Sequence, residues 1–202
     1  MARGRIGILI SGRGSNMVAI IDAAKAGKID ADVALVISNE KDAGGLEKAR
    51  SLGVEAIVVD HRASATREEH DRKMVNELKK RNINLICLAG YMRILSSYFV
   101  IEFQGRIMNI HPALLPAFPG LDVQQKTIDW GAKFSGCTVH FVDDKVDHGP
   151  IIIQAVVPVL DDDTAEKLAA RILKEEHRIY PEAVKMFFEG KLKISGRRVL
   201  TR

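Results

Sequence analysis

A chain of 202 residues, 47% hydrophobic and 28% charged, can bury a core without disulfide staples and fits a single globular domain, since cores commonly reach ~200 residues before splitting. A formal net charge of +4 is too weak alone to indicate a nucleic-acid binder, which wants Lys and Arg clustered along a face beside aromatic platforms, and it suits small anionic ligands equally well. No apolar run of ~18 residues offers a spanning helix, and Cys87 and Cys137 each sit in an apolar run as buried thiols would, so a soluble, cytoplasmic protein is expected.

Short β-branched runs then alternate with longer amphipathic stretches. Strands are expected at Arg5–Ser11, Asp32–Ser38, Glu55–Asp60 and Asn84–Gly90, with helices at Asn16–Ala26, Gly45–Leu52 and Thr66–Arg81 between them. Nearly continuous apolar strands joined by helical crossovers require a parallel sheet covered on both faces. In "TREE", Thr66 offers a capping hydroxyl with Glu69 three residues on, and Gly27 marks the end of the preceding helix.

The second half reads differently. Strands are expected at Arg106–Pro112, Gly136–Asp143 and Gly149–Val159, and the short link "DKVDHG" between the last two calls for an antiparallel pair. A long helix begins after the acidic "DDDT" at Thr164, and Pro181 is expected to break or kink it. The basic stretch "KLKISGRRVLTR", Lys191 to Arg202, reads as a solvated tail. The expected fold is α/β: a doubly wound, mostly parallel twisted sheet with an antiparallel strand in the C-terminal half.

"ILISGRGSN" places Gly12, Gly14, Ser15 and Asn16 where the first strand hands over to the first helix. Glycines there expose backbone N–H groups, and the helix N-terminus adds partial positive charge, so the turn suits an anion such as a phosphate. Met17 stands where a dinucleotide fingerprint needs its third glycine and no Gly-Lys-Ser/Thr follows, so a monophosphate is favoured over a pyrophosphate. A plain tight turn is the alternative.

Asn109 and His111, two apart in "RIMNIHP", share one face of their strand, and Pro112 fixes the exit at its carboxyl end, the edge where open α/β sheets bind ligands. An amide can stabilise an oxyanion and an imidazole can move a proton. Asp147, in the link between two later strands, could return to the same rim, set the charge of His111 and accept an amine proton. No serine or cysteine nucleophile is placed beside this set, which points to direct transfer. Taken singly, each residue has an ordinary structural reading, so the argument rests on their convergence.

Five motifs in order, "ISGRGSN", "LAGYMRIL", "NIHPALLP", "GCTVHFVDDKVDHGPIIIQ" and "EEHRIYP", resemble the phosphoribosylglycinamide formyltransferase family over nearly the whole chain. The resemblance implies one formyltransferase domain over residues 1–202, its N-terminal half binding the phosphorylated substrate and its C-terminal half binding folate and carrying catalysis. It implies formyl transfer from 10-formyltetrahydrofolate, as cosubstrate, to the amine of phosphoribosylglycinamide in purine synthesis. Asn109, His111 and Asp147 would be catalytic; Gly14, Ser15, Asn16 and Glu176 would bind the ribonucleotide; Arg67, Met92, Arg93, Ile94, Leu95 and Asp143 would bind folate. No metal, nucleic acid or membrane is implied, and the protein would be a monomer or homodimer. His61, His70 and His177 lack ligand spacing and read as surface or helix residues.

Departures from the common family pattern are Ala113, Asp122, Gln124 and His148, which bear on the groups supporting the catalytic set. Within the family, methionyl-tRNA formyltransferase and formyltetrahydrofolate deformylase carry extra domains, for which the start at "RGRIGILIS" and the end at residue 202 are expected to leave no room. Outside it, a nucleotide-dependent oxidoreductase and a catalytically silent binding module share the expected shape.

Overall fold

Strands that are apolar along their whole length have no face for water, and in this chain they lie in a sheet interior. The computed structural model describes residues 3–201. The chain clusters into two units, the first running to Met108 and the second opening at Asn109. In the first, β1 (Gly4–Ile10), β2 (Ala31–Ser38), β3 (Ala56–Val58) and β4 (Leu85–Leu88) take the order β3-β2-β1-β4, all parallel. Ile8 sits between Val36 and Cys87, all three fully buried. The edge strand β3 is shorter than the expected Glu55–Asp60: Val58 already faces water, and one backbone bond flanks the strand at each end, Val36 N to Glu55 O at 2.8 Å and Val59 N to Ser38 O at 2.9 Å.

Helices α1 (Ser15–Lys25), α2 (Gly44–Ser51), α3 (Arg67–Lys80) and the short α4 (Ser97–Glu102) complete this unit. Thr66 caps α3 as its spacing predicts, its hydroxyl accepting from Glu69 N at 3.1 Å, while the Glu69 carboxylate reaches back to Ala65 N at 2.9 Å. α4 was not legible: six residues give no periodic stripe, and its cap is the single hydroxyl of Ser96.

β5 (Ile107–His111) crosses the division between units. In the second unit, β6 (Phe134–Phe141), β7 (Ile151–Pro158), β8 (Leu192–Ser195) and β9 (Arg198–Thr201) follow it in the order β5-β6-β7-β9-β8. β6 and β7 are antiparallel, with Cys137 opposite Ala155, as the short link requires. Helix α5 (Val123–Asp129) packs with α6 (Ala165–Phe188), which lies across β6 and β7. Mostly parallel pairing with antiparallel strands toward the C-terminus is the expected class.

Two expectations are corrected. Pro181 does not end α6, which continues to Phe188. Proline withdraws one N–H from the helix ladder, but Ile179, Tyr180, Ala183 and Val184 around it are fully buried, and that burial outweighs one lost bond. The stretch after Lys191 is not a tail: β8 and β9 form a hairpin joined to β7 at Ile151 and Arg198, turning at Gly196 with φ 59°. Its terminal Arg202 lies outside the described residues.

Candidate active site

β5 delivers Asn109 and His111 on one face, and the β6–β7 loop returns Asp147 to them. Asp147 Oδ2 lies 3.4 Å from His111 Nδ1, and its Oδ1 lies 3.5 Å from Asn109 Nδ2. The Gly120 N–H donates to Asp147 Oδ2 at 2.9 Å and so fixes the carboxylate from the far side. Asp147 itself has φ 50°, a left-handed conformation that aspartate tolerates better than most residues. Its side chain is 11% exposed and that of His111 is 5% exposed, so the pair has little water to screen it.

The tautomers follow from the partners. His111 Nε2 is 2.8 Å from the carbonyl of Phe118, which can only accept, so Nε2 donates to it and Nδ1 is the nitrogen left facing Asp147. The contacts from Asn109 and from His111 to Asp147 are both at the long end of hydrogen bonding. Each donor can therefore turn to an oxygen arriving beside it without surrendering a strong partner.

A fourth member was missed in the sequence. His140, on β6, sets its Nδ1 2.8 Å from the Phe141 carbonyl and its Nε2 3.3 Å from Asn109 Nδ2. Burial holds this imidazole below its usual pKa, against the nearby Asp147 carboxylate. The neutral ring accepts from Asn109 and so fixes which end of that amide donates. "GCTVHFVDD" held one signal: the apolar alternation of the strand puts His140 inside, where a lone imidazole needs partners.

Other expected site residues fall as follows. Gly14 caps α1 with φ 66°, and a Cβ there would meet Gly45 Cα at 3.2 Å, so glycine is required both for the turn and for the approach of α2. Ser15 and Asn16 open α1, with Asn16 buried. Arg67 opens α3 and is exposed. In the segment after β4, Met92 is 68% exposed and Ile94 is exposed, Leu95 is buried, and Arg93 Nε is buried with no hydrogen-bond partner. Glu176 is buried on α6. Asp143 accepts from His148 Nδ1 at 2.7 Å and from Lys145 N at 3.0 Å. Burial works against its charge, yet these contacts and Arg197 hold the carboxyl below its ordinary range.

Of the three histidines set aside, His70 lies fully buried on α3, its Nε2 2.8 Å from Val59 O, and His61 contacts Asn39. His177 is on α6. Cys87 and Cys137 are free and buried, and burial pushes the Cys137 thiol up to about 12. Among the described residues, no three His, Cys, Asp or Glu side chains group as metal ligands, and no helix is long and apolar enough to cross a membrane.

Residues 4–184 match the family model described as formyl transferase. The phosphoribosylglycinamide formyltransferase of Escherichia coli K12 is 44% identical over 187 residues, covering 93% of this chain and 88% of that protein. The trifunctional purine biosynthetic protein adenosine-3 of Drosophila melanogaster is 50% identical over 195 residues, 96% of this chain, but the chain spans only 14% of its length. Glycinamide ribonucleotide transformylase 1 of Symbiobacterium toebii superposes with a TM-score of 0.97 at 52% identity, covering 99% of this chain and 94% of that one. The chain belongs to the formyl transferase family.

Proposed function

We propose that this protein is a phosphoribosylglycinamide formyltransferase, moving the formyl group of 10-formyltetrahydrofolate to the amine of phosphoribosylglycinamide in purine synthesis, acting as a single domain in the cytoplasm, as a monomer or homodimer. The observation that carries the reading is the convergence of Asn109 and His111 on Asp147, each within hydrogen-bond range of its carboxylate.

The substrate amine attacks the formyl carbon, and negative charge grows on its oxygen. The Asn109 Nδ2–H, aimed by His140, and the His111 Nδ1–H stabilise that charge; one such donor contributes ~3–4 kcal/mol in comparable sites. Asp147 orients His111 and takes the proton the amine sheds; the tetrahedral adduct then collapses, breaking the bond from the formyl carbon to the folate N10, and that proton passes to the departing nitrogen. Much of the acceleration comes from holding the two reactants together.

Gly14, Ser15 and Asn16 hold the phosphate at the start of α1, and Glu176 binds the ribose hydroxyls. Arg67, Met92, Arg93, Ile94, Leu95 and Asp143 receive the folate. The buried, unpartnered Nε of Arg93 supports that role, since a donor without an acceptor in the free protein gains one from a polar heterocycle. An assay of formyl loss from 10-formyltetrahydrofolate with and without phosphoribosylglycinamide tests the reading. Loss that depends on the amine, with formylated ribonucleotide as product, supports it; equal loss with release of formate refutes it.

A further inference from the structure

Asp147 accepts from Gly120 N, and the residue after it, His148, belongs to a run of three side chains that begins in the terminal hairpin. Arg197 stands in the β8–β9 turn and sends Nη2 to the backbone carbonyl of His148 and Nη1 to His148 Nε2, each at 2.8 Å. The same Nη1 lies 3.2 Å from His148 Nδ1, so the guanidinium rests against both ring nitrogens. The Asp143 carboxylate can only accept, so His148 Nδ1 donates to its Oδ2 at 2.7 Å. The Asp143 carboxylate, the His148 ring and the Arg197 guanidinium thus form one run of contacts, charge-assisted at the carboxylate end. Asp143 also closes its own loop by accepting from Lys145 N at 3.0 Å.

His148, which carries these contacts, follows Asp147 directly in the chain. Asp147 immediately precedes the peptide whose carbonyl Arg197 grips, and Gly149 follows with no room for a side chain, its Cβ position 1.8 Å from Phe141 O. With φ 50°, Asp147 occupies a backbone conformation that its surroundings must hold. A small rotation at this peptide would swing its carboxylate away from His111.

We infer that Arg197, acting through His148 and Asp143, is a positioning residue that holds the Asp147 loop in its reactive conformation. The inference rests on the proposed formyl transfer for its kinetic consequence, but not for its structural one. His148 is the hinge of the arrangement: a small residue there would leave Arg197 only the carbonyl and Asp143 only the loop amide.

Arg197→Ala and His148→Ala, each assayed for formyl transfer and for amide hydrogen exchange over the Asp143 to Gly149 segment, test it. Each variant is expected to lose about tenfold in kcat, the scale of a modest misalignment, with KM for both substrates within about twofold. Loop exchange should quicken while the thermal midpoint holds. The double variant should be no slower than the worse single one, because both cut the same chain of contacts. His148→Gln, which keeps one donor and one acceptor at similar reach, should recover most of the loss.

Unchanged kcat and loop exchange in Arg197→Ala, or losses that multiply in the double variant, would overturn the inference. Should Arg197→Ala unfold, the comparison of His148→Gln with His148→Ala decides: equal impairment of the two overturns it. If the wild-type protein transfers no formyl group, the functional reading fails, and loop exchange alone settles whether Arg197 braces the loop.

Discussion

The carboxylate of Asp147 stands 3.4 Å from Nδ1 of His111, the one nitrogen of that ring not tied to a backbone carbonyl. A carboxylate at that place orients the imidazole that is proposed to act on the formyl group. Asp147→Asn keeps the shape and removes the charge, so kcat is expected to fall by about 10²- to 10³-fold, the range for a positioned acid or base. The fold should survive, because Asn can still accept from Gly120 N. Steady-state kinetics beside a thermal melt check both halves.

His140 ties Asn109 to a neutral imidazole, and its depressed pKa has a sign that can be worked out. The unfolded chain binds a proton near the ordinary value of 6.5 and the folded chain only below it. Between the two, the unfolded state holds more protons, so stability is complete above about 6.5 and drains away as pH falls toward the folded value. Burial depresses His177 as well, with the same sign. The thermal midpoint should fall on acidification below 6.5, and His140→Gln, which does not titrate, should show a shallower fall. A midpoint equally steep in the variant would remove His140 from the effect.

Gly14 takes a left-handed conformation that L side chains enter at a cost of roughly 1–2 kcal/mol. Gly14→Ala should lose about that much stability, measured by urea unfolding, and should raise the KM for the phosphorylated substrate more than it lowers kcat. Asn16→Ala should act on KM in the same way, and an unaltered KM would displace the phosphate from this turn.

Gly149 is required by space rather than by φ. A methyl group there meets a backbone oxygen that cannot give way, so Gly149→Ala is expected to cost at least the upper part of the ~1–3 kcal/mol typical of overpacking, and to disturb Asp147 two residues away. A chemical-denaturation midpoint equal to wild type would contradict the close approach.

Legibility in the sequence followed local physics. The parallel strands of the first unit were readable because Ile8, Val36 and Cys87 are dry on both faces, and the cap at Thr66 because its partner Glu69 is three residues away. Asn109 and His111 announced a shared face through strand alternation alone. His140 did not, since its value lies in a neighbour 31 residues distant in sequence. Arg197 was hidden further still, inside a stretch whose basic charge outweighed the turn signal of Gly196. Pro181 does not break its helix, because the apolar residues around it are buried.

The central claim is that His111 works on the reacting carbonyl and not on substrate capture, and His111→Ala tests it most directly. Single-turnover formyl transfer should fall by at least about 100-fold while binding of phosphoribosylglycinamide, followed by calorimetry, stays within about twofold of wild type. Transfer at the wild-type rate in that variant would contradict the account.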